Sequence, residues 1–154
     1  MPVLFGGTVI NGPGDVVSEE VTVTETTGAG TYTGSVTVPA GASILDVIVN
    51  GVALWNTTTS ATLKVGDVGD DDGYYTGVDL KATDLLAGES LSFTAAGGKA
   101  GAYIANSQVS PRYSASERVV SAIVTTVGAA GTLGRTRMTV VYTVPATPVA
   151  ATKA

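Results

Sequence analysis

Short segments of alternating apolar and polar residues, separated by glycine-containing turns, constrain the fold of this chain more than any other feature. Val21 and Val23, for example, alternate with threonines, which is the period of a half-buried strand. Such segments recur at intervals of about 8–12 residues, the spacing typical of β-sandwiches and barrels. No amphipathic pattern long enough for a three-turn helix occurs. The sequence therefore predicts an all-β protein, a jelly-roll or other Greek-key β-sandwich with extended N- and C-terminal arms.

The same patterns predict individual strands and their connections. Strands are expected at residues 8–10, 21–24, 32–38, 44–54, 61–65, 91–94, 100–105, 118–127 and 137–144. We expect two hairpins across glycine-rich turns, 21–24 with 32–38 and 118–127 with 137–144. The 118–127 strand is apolar on both faces, which predicts a central strand that is covered on both sides. Residues 66–77 are expected to form a polar loop and 83–88 a helical turn ended by glycine. Leu45, Val47 and Val49 are predicted to share one face of the 44–54 strand, and the side chains predicted to point inward from the last strand are Met138, Val140, Tyr142 and Val144.

The domain organisation follows from where these patterns stop. Residues 1–15 contain Gly6-Gly7 and Gly12-Pro13-Gly14 and are expected to form an N-terminal arm. Residues 16–144 are expected to form a single β-sandwich domain, and the Pro/Ala/Thr-rich residues 145–154 an extended C-terminal tail. A chain of 154 residues is long enough to bury a core without disulfides or a structural metal.

Composition excludes several classes of function. The chain has no histidine and no cysteine, so it lacks the commonest general base, the usual zinc ligands and a thiol nucleophile. We therefore expect no enzyme activity and no cofactor. Its formal net charge of −5 argues against nucleic-acid binding. Only 14% of its residues are charged, against about 25% in average domains, which predicts that neighbouring subunits cover part of its surface.

Targeting signals are not evident in the sequence. The first residues lack the basic and long apolar regions of a signal peptide. No apolar run approaches the length of a membrane span. The sequence thus predicts a protein that is made in the cytoplasm and does not associate with a membrane.

An acidic loop is the sharpest local motif. Asp67, Asp70, Asp71 and Asp72 place four carboxylates within six positions, and carboxylate oxygens are calcium ligands. The acids are consecutive, unlike the alternating acids of an EF-hand loop, and no glutamate stands at its twelfth position. A solvated acidic turn is the simpler interpretation, and calcium binding is its alternative.

Candidate interface residues are of three kinds. Trp55 ends the most hydrophobic predicted strand and is either an exposed anchor or a cap on the core. Four arginines in the last third of the chain either pair with the acidic loop of a neighbouring copy or are solvated: Arg112, Arg118, Arg135 and Arg137. Of these, Arg112 and Arg135 are the interface candidates. The remaining candidates are Tyr74 and Tyr75 after the acidic loop, and Val3, Leu4 and Phe5 in the N-terminal arm.

One part of the chain resembles small virion proteins of tailed bacteriophages. The resemblance rests on Val36-Thr37-Val38-Pro39-Ala40-Gly41-Ala42-Ser43-Ile44-Leu45-Asp46-Val47, then Ala61–Asp67, Asp72–Tyr74 and Val78–Leu80. It covers roughly residues 31–94, under half the chain. These motifs are a strand, a Pro-Ala-Gly turn, a second strand and an acidic Gly-Tyr loop.

The resemblance implies a role in the virion. Capsid decoration (cement) proteins are often jelly-roll trimers that sit at local threefold positions on the outer capsid surface. Their terminal arms reach neighbouring subunits, and their partners are copies of themselves and the major capsid protein. The leading hypothesis is therefore a decoration protein that stabilises the head by bridging capsid subunits. The alternatives are a tail-tube, head-fibre or minor tail protein, or a carbohydrate- or receptor-binding sandwich with an exposed aromatic platform of Trp55, Tyr74 and Tyr75.

Overall fold

The computed structural model describes the backbone of residues 3–5 and 8–10 and all atoms of residues 12–28, 30–106 and 112–145. No helix among them is long and apolar enough to cross a membrane. The elements in chain order are β1 (Val3–Phe5), β2 (Thr8–Ile10), β3 (Val16–Thr24), β4 (Thr31–Val38), β5 (Ile44–Ala53), β6 (Ser60–Gly66), β7 (Tyr75–Asp79), β8 (Ser90–Leu91), α1 (Ala102–Ala105), β9 (Arg118–Val127) and β10 (Arg135–Thr143).

Eight strands form two four-stranded antiparallel sheets that pack face to face. The strand order is β3-β10-β5-β8 in the first sheet and β4-β9-β6-β7 in the second. The chain changes sheet at every connection from β3 to β10 except between β6 and β7. Two sheets with this interleaved order are a jelly roll. The predicted fold class is thus confirmed. β1 and β2 pair only with each other, in a separate two-stranded sheet.

Both hairpins predicted within this sandwich are wrong. β3 and β4 are consecutive in the chain, but they lie in opposite sheets, and so do β9 and β10. Glycines with positive φ occupy both connections, Gly28 at +88° and Gly128 at +97°. Such residues reverse the chain equally well within a sheet or from one sheet to the other, so the turn signal alone cannot assign partners.

The core lies between the inward faces of the two sheets. It is built largely from β-branched and aliphatic side chains that are fully buried, among them Val47, Val49, Leu63, Val120, Val124, Met138 and Val140. Tyr142 is also buried, as predicted, whereas Val144 is only half-buried. β9 is central in its sheet, as predicted. The described residues leave its outer face partly uncovered, since Val119 and Val127 are 44% and 53% exposed.

A β-bulge at Leu45 makes the prediction for one face of β5 wrong. Leu45 was expected on the same face as Val47 and Val49, which are buried, but it is 45% exposed, and Ile44 is buried instead. The register with β10 shifts at this point, because Val141 pairs with Asp46 and Tyr142 with Ile44. The extra residue reverses the alternation on its N-terminal side.

Three further local predictions differ from the structure. Residues 100–105, expected to be a strand, include the short helix α1, which brings Tyr103 against the ring of Tyr74. The C-terminal part of the predicted loop 66–77 begins strand β7. Residues 83–88 form turns rather than a helical turn. The backbone carbonyl of Asp79 holds the start of this segment, because it accepts the N–H groups of Asp84 at 3.3 Å and Leu85 at 3.0 Å.

Candidate assembly surfaces

Trp55 caps the core rather than presenting an anchor to solvent. It is 1% exposed, and its Nε1–H donates to Thr136 Oγ1 at 2.9 Å. Its ring meets the ring of Tyr32 edge to face, with the centroids 5.3 Å apart. The exposed-anchor interpretation is therefore wrong for the folded single chain, because the ring and its polar nitrogen are both satisfied inside the sandwich.

Tyr74 and Tyr75 are also fully buried. The ring of Tyr74 stacks on Phe93 at 5.7 Å, and burial raises the pKa of its phenol to about 12. The Tyr75 hydroxyl donates to the carbonyl oxygen of Val47 at 2.5 Å. Together with Trp55, these two tyrosines were the proposed aromatic platform. They cannot form one, because their rings face the core.

The remaining interface candidates do not gather in one place. The guanidinium of Arg112 lies 4.1 Å from the centre of the Phe93 ring, and the Arg112 carbonyl accepts a hydrogen bond from Ile44 at the start of β5. Arg135 is exposed and pairs with Ala53 at the opposite end of β5. The side chains of Val3, Leu4 and Phe5 lie outside the described residues.

The four carboxylates of the acidic loop fall into two sets with different contacts. Asp67 accepts hydrogen bonds from the Gly69 N–H at 2.9 Å and from the Tyr103 hydroxyl at 2.9 Å, so it shapes the loop. Asp70, Asp71 and Asp72 form a separate cluster, with carboxylate oxygens within 4.8 Å of one another.

The three carboxylates of this cluster differ in their electrostatic partners. A side-chain hydrogen bond shared with Asp72 raises the pKa of Asp70. The pKa of Asp72 is lowered, first by the Thr76 hydroxyl that donates to it at 2.7 Å. Asp71 pairs with Lys64. Three carboxylates supply only part of the six to eight oxygens that calcium prefers, and one of them already has a cation. The geometry thus favours the solvated acidic turn over a calcium site.

A buried glutamate that the sequence did not single out organises the end of the sandwich near Trp55. Glu25 is 1% exposed. Its carboxylate accepts backbone N–H hydrogen bonds from Thr57 at 2.9 Å, Asn56 at 3.1 Å and Gly134 at 3.0 Å. We call this arrangement the Glu25 clamp. It ties the ends of β3 and β5 to the loop that precedes β10, and alternation gave no sign of it because Glu25 lies just beyond a strand.

The opposite end of the sandwich holds both chain exits and several exposed apolar side chains. Val16, at the start of β3, pairs with Thr143 at the end of β10. Gly14 N–H donates to the Val144 carbonyl at 2.9 Å. The segments before β3 and after β10 therefore join the sandwich side by side. Three exposed apolar residues lie at this end: Val16 at 61%, Leu45 at 45% and Tyr113 at 61%. We call this region the exit corner.

Other exposed apolar residues lie elsewhere in the described part of the chain. Val52, Leu54, Val127 and Leu133 are 49%, 45%, 53% and 56% exposed at the end of the sandwich that holds the Glu25 clamp. Val68 is fully exposed, and with Val119 and Tyr103 it lines a surface depression of about 410 Å³. Scattered apolar residues are normal on protein surfaces, so only the exit corner, where they coincide with the chain ends, stands out.

Comparison by sequence finds no relative. No family model matches the chain, and no curated protein matches it.

Comparison by structure finds three capsid chains with the same fold. A chain of the cyanophage Pam1 capsid asymmetric unit has a TM-score of 0.52 and 24% identity, and the match covers 93% of each chain. A chain of the Ralstonia phage GP4 capsid has a TM-score of 0.53 and 16% identity, and the match covers 88% of each chain. A chain of the acidic stable capsid of Helicobacter pylori bacteriophage KHP30 has a TM-score of 0.52 and 16% identity, over 87% of this chain and 91% of that one. At these identities, the similarity establishes a shared fold.

Proposed function

We propose that this chain is a structural protein of a bacteriophage virion, and specifically a capsid decoration protein that bridges capsid subunits. The observation that carries the proposal is the match of nearly the whole jelly roll to chains from three phage capsids. Because each match covers 87–93% of this chain and 88–93% of the capsid chain, the matched components are small proteins of similar length. That size supports an accessory component of the shell.

Attachment through the chain ends is the second part of the proposal. Both terminal segments join the sandwich at the exit corner, beside the exposed Val16, Leu45 and Tyr113. Two arms leaving one corner would reach neighbouring subunits together with this apolar surface. Main-chain pairing by an arm gives affinity without requiring particular side chains. We propose that three copies associate at a local threefold position on the outer capsid surface, so that weak contacts sum over the assembly.

A non-enzymatic role belongs to the same proposal. The chain contains no histidine or cysteine, and the phenol pKa values raised by burial belong to tyrosines in or against the core, such as Tyr74 and Tyr142. The rival carbohydrate- or receptor-binding function loses its main support, because its three aromatic residues are buried.

The first test is the copy number of this protein in purified virions of the phage that encodes it, measured by quantitative mass spectrometry. A decoration protein is expected in a fixed proportion to the major capsid protein. A few copies per particle, or copies that remain with isolated tails, would contradict the proposal.

The second test adds the full-length protein to capsids from a phage that lacks its gene, followed by electron microscopy and a capsid stability assay. We expect added density at local threefold positions and a higher disruption temperature. Deletion of residues 146–154 should weaken capsid binding, whereas the surface substitution Thr132→Ser, at the far end, should not. Equal binding by both variants would refute a role for the C-terminal arm.

A further inference from the structure

β4 is an edge strand whose free side is unusually open to pairing. It pairs with β9 without a register shift from Thr31–Thr125 to Val38–Arg118. Among the described strands, none pairs with its other side. Its sequence, TYTGSVTV, has no charged residue and no proline. A long, regular and uncharged edge of this kind is a template for another strand.

β3, the edge strand of the other sheet that lies beside β4, is protected against pairing with a further strand. β3 carries two adjacent glutamates, and Glu19 lies on its inward face, opposite the buried Val140. The Glu19 carboxylate accepts a hydrogen bond from the Tyr142 hydroxyl at 2.8 Å. An inward-pointing charge on an edge strand opposes pairing because a new neighbouring strand would bury it.

The two remaining edges are protected in other ways. β8 is only two residues long. β7 contains Gly77 at a φ of +62°, and its free side is covered by the segment around Lys99, whose carbonyl accepts the Thr76 N–H at 3.0 Å. Of the four edges, β4 alone is therefore long, regular, uncharged and uncovered by the described residues.

The backbone groups of β4 that face its free side can be identified. Thr126 N–H donates to the Gly30 carbonyl at 2.8 Å, in register with the β4–β9 ladder. Because hydrogen-bonded pairs alternate along an antiparallel ladder, the even-numbered residues of β4 bond to β9. The odd-numbered residues Thr31, Thr33, Ser35 and Thr37 direct their N–H and C=O groups outward, and their side chains are exposed.

We propose that this edge is an interface that pairs antiparallel with β4 of a second copy, about a twofold axis at Gly34. In this register Thr31 faces Thr37 of the other copy, and Thr33 faces Ser35. All four outward-facing residues are used, and Pro39, which has no N–H, is left outside the ladder. On the inner face, Tyr32 meets Val36 of the other copy, an aromatic–β-branched pair of a kind that stabilises sheets.

The symmetry of the edge identifies a second copy as the partner, because its outward-facing residues are hydroxyl-bearing in both chain directions and pair with themselves about Gly34. The chain has a net charge of −5, so two copies repel through most of their surface. β4 offers them a contact free of formal charge, lined by threonine and serine hydroxyls that can bond across strands. The inference rests on the fold alone and does not require the proposed capsid role. It is compatible with that role, because a twofold contact would join one threefold assembly to the next.

Self-association of the full-length protein tests the inference. We expect its mass by sedimentation to rise with concentration. Thr33→Lys adds a charge to the exposed side of the edge and should raise the dissociation constant at least about tenfold. Thr62→Lys adds the same charge to the exposed face of β6, two strands away from β4, and should leave association unchanged. A wild-type mass independent of concentration, or equal effects of both variants, would overturn the proposal.

A charge-swap experiment tests the register and the partner. Thr33→Lys/Ser35→Lys places lysines opposite lysines in the proposed pair, and Thr33→Glu/Ser35→Glu places glutamates opposite glutamates. Each variant alone should fail to associate, and an equimolar mixture should recover mixed pairs. Failure of the mixture to associate while both variants remain folded would refute β4–β4 pairing. Loss of capsid binding by Thr33→Lys with unchanged self-association would assign the edge to a strand of another protein instead.

Discussion

Replacing Glu25 with glutamine tests whether the Glu25 clamp holds one end of the sandwich together. The carboxylate accepts three backbone N–H bonds and is 1% exposed. An amide has one acceptor oxygen, so its NH₂ group must face at least one N–H donor, for example that of Thr57. A hydrogen bond to a charged group contributes about 1.5–3 kcal/mol, and a buried donor left unpaired costs about 1–3 kcal/mol. We expect Glu25→Gln to lower the free energy of unfolding by about 2–3 kcal/mol.

The alanine variant removes all three acceptor contacts. Three bonds of that strength would sum to about 4.5–9 kcal/mol, but the neighbouring exposed Asn56 admits water to the site. We therefore expect a loss of about 4 kcal/mol, near the lower end of that sum. Since domains are typically stable by about 5–15 kcal/mol, Glu25→Ala is expected to be close to the limit of folding.

Urea unfolding at neutral pH measures both variants, and amide hydrogen exchange locates the effect. The N–H groups of Asn56, Thr57 and Gly134 should lose protection in Glu25→Gln while the centre of β9 keeps it. Glu20→Gln is the matched control, because its side chain is 63% exposed and lies 3.9 Å from Arg137. It should change stability by less than about 0.5 kcal/mol. A Glu25→Gln variant as stable as this control would refute the reasoning.

Three other substitutions or probes test separate parts of the structure. Trp55 is the only tryptophan, so its fluorescence should be blue-shifted and resistant to acrylamide, and quenching like that of a free indole would contradict its burial. Burial of Asp84 raises its pKa, but backbone and Lys99 hydrogen bonds more than offset this effect, so the pKa of Asp84 lies below 3.8. The stability that the ionised Asp84 adds is therefore fully present above pH 3.8 and is lost as the pH falls through the lowered pKa. Asp84→Asn should therefore reduce the difference in unfolding free energy between pH 6 and pH 3, and an unchanged difference would exclude the linkage. Gly51→Ala should lower the free energy of unfolding by more than about 3 kcal/mol, because its Cβ would lie 2.1 Å from the Leu86 carbonyl oxygen. Gly30→Ala is the control, since a Cβ there meets nothing within 4 Å. Equal melting temperatures for the two variants would rule out the contact with Leu86.

The fold class was predictable because binary alternation is a local property. Val47, Val49, Met138 and Val140 all point inward as their spacing predicts. Strand pairing was not predictable in the same way. The partner of β3 is β10, more than a hundred residues away, and no residue near the intervening turns encodes that choice.

The errors at the candidate site have a common physical origin. Leu45 was misplaced because one extra residue in a strand reverses its faces. Trp55 was left open between an exposed anchor and a core cap, and Tyr74 and Tyr75 were interface candidates, but each buries its ring in the core. The contacts that decide burial come from distant parts of the chain, such as Thr136 for Trp55.

The pairing of Val16 with Thr143 has a practical consequence for engineering. A peptide or fluorescent domain inserted just before β3 or just after β10 would emerge from the same corner of the sandwich. The Glu25 clamp lies at the far end, so a fusion would leave that stabilising network untouched. A short linker from Val144 to Gly14 would also bridge a small gap, and new ends opened at the exposed Val68 turn would give a circular permutant. The sandwich is thus suited to use as a scaffold whose two attachment points lie side by side.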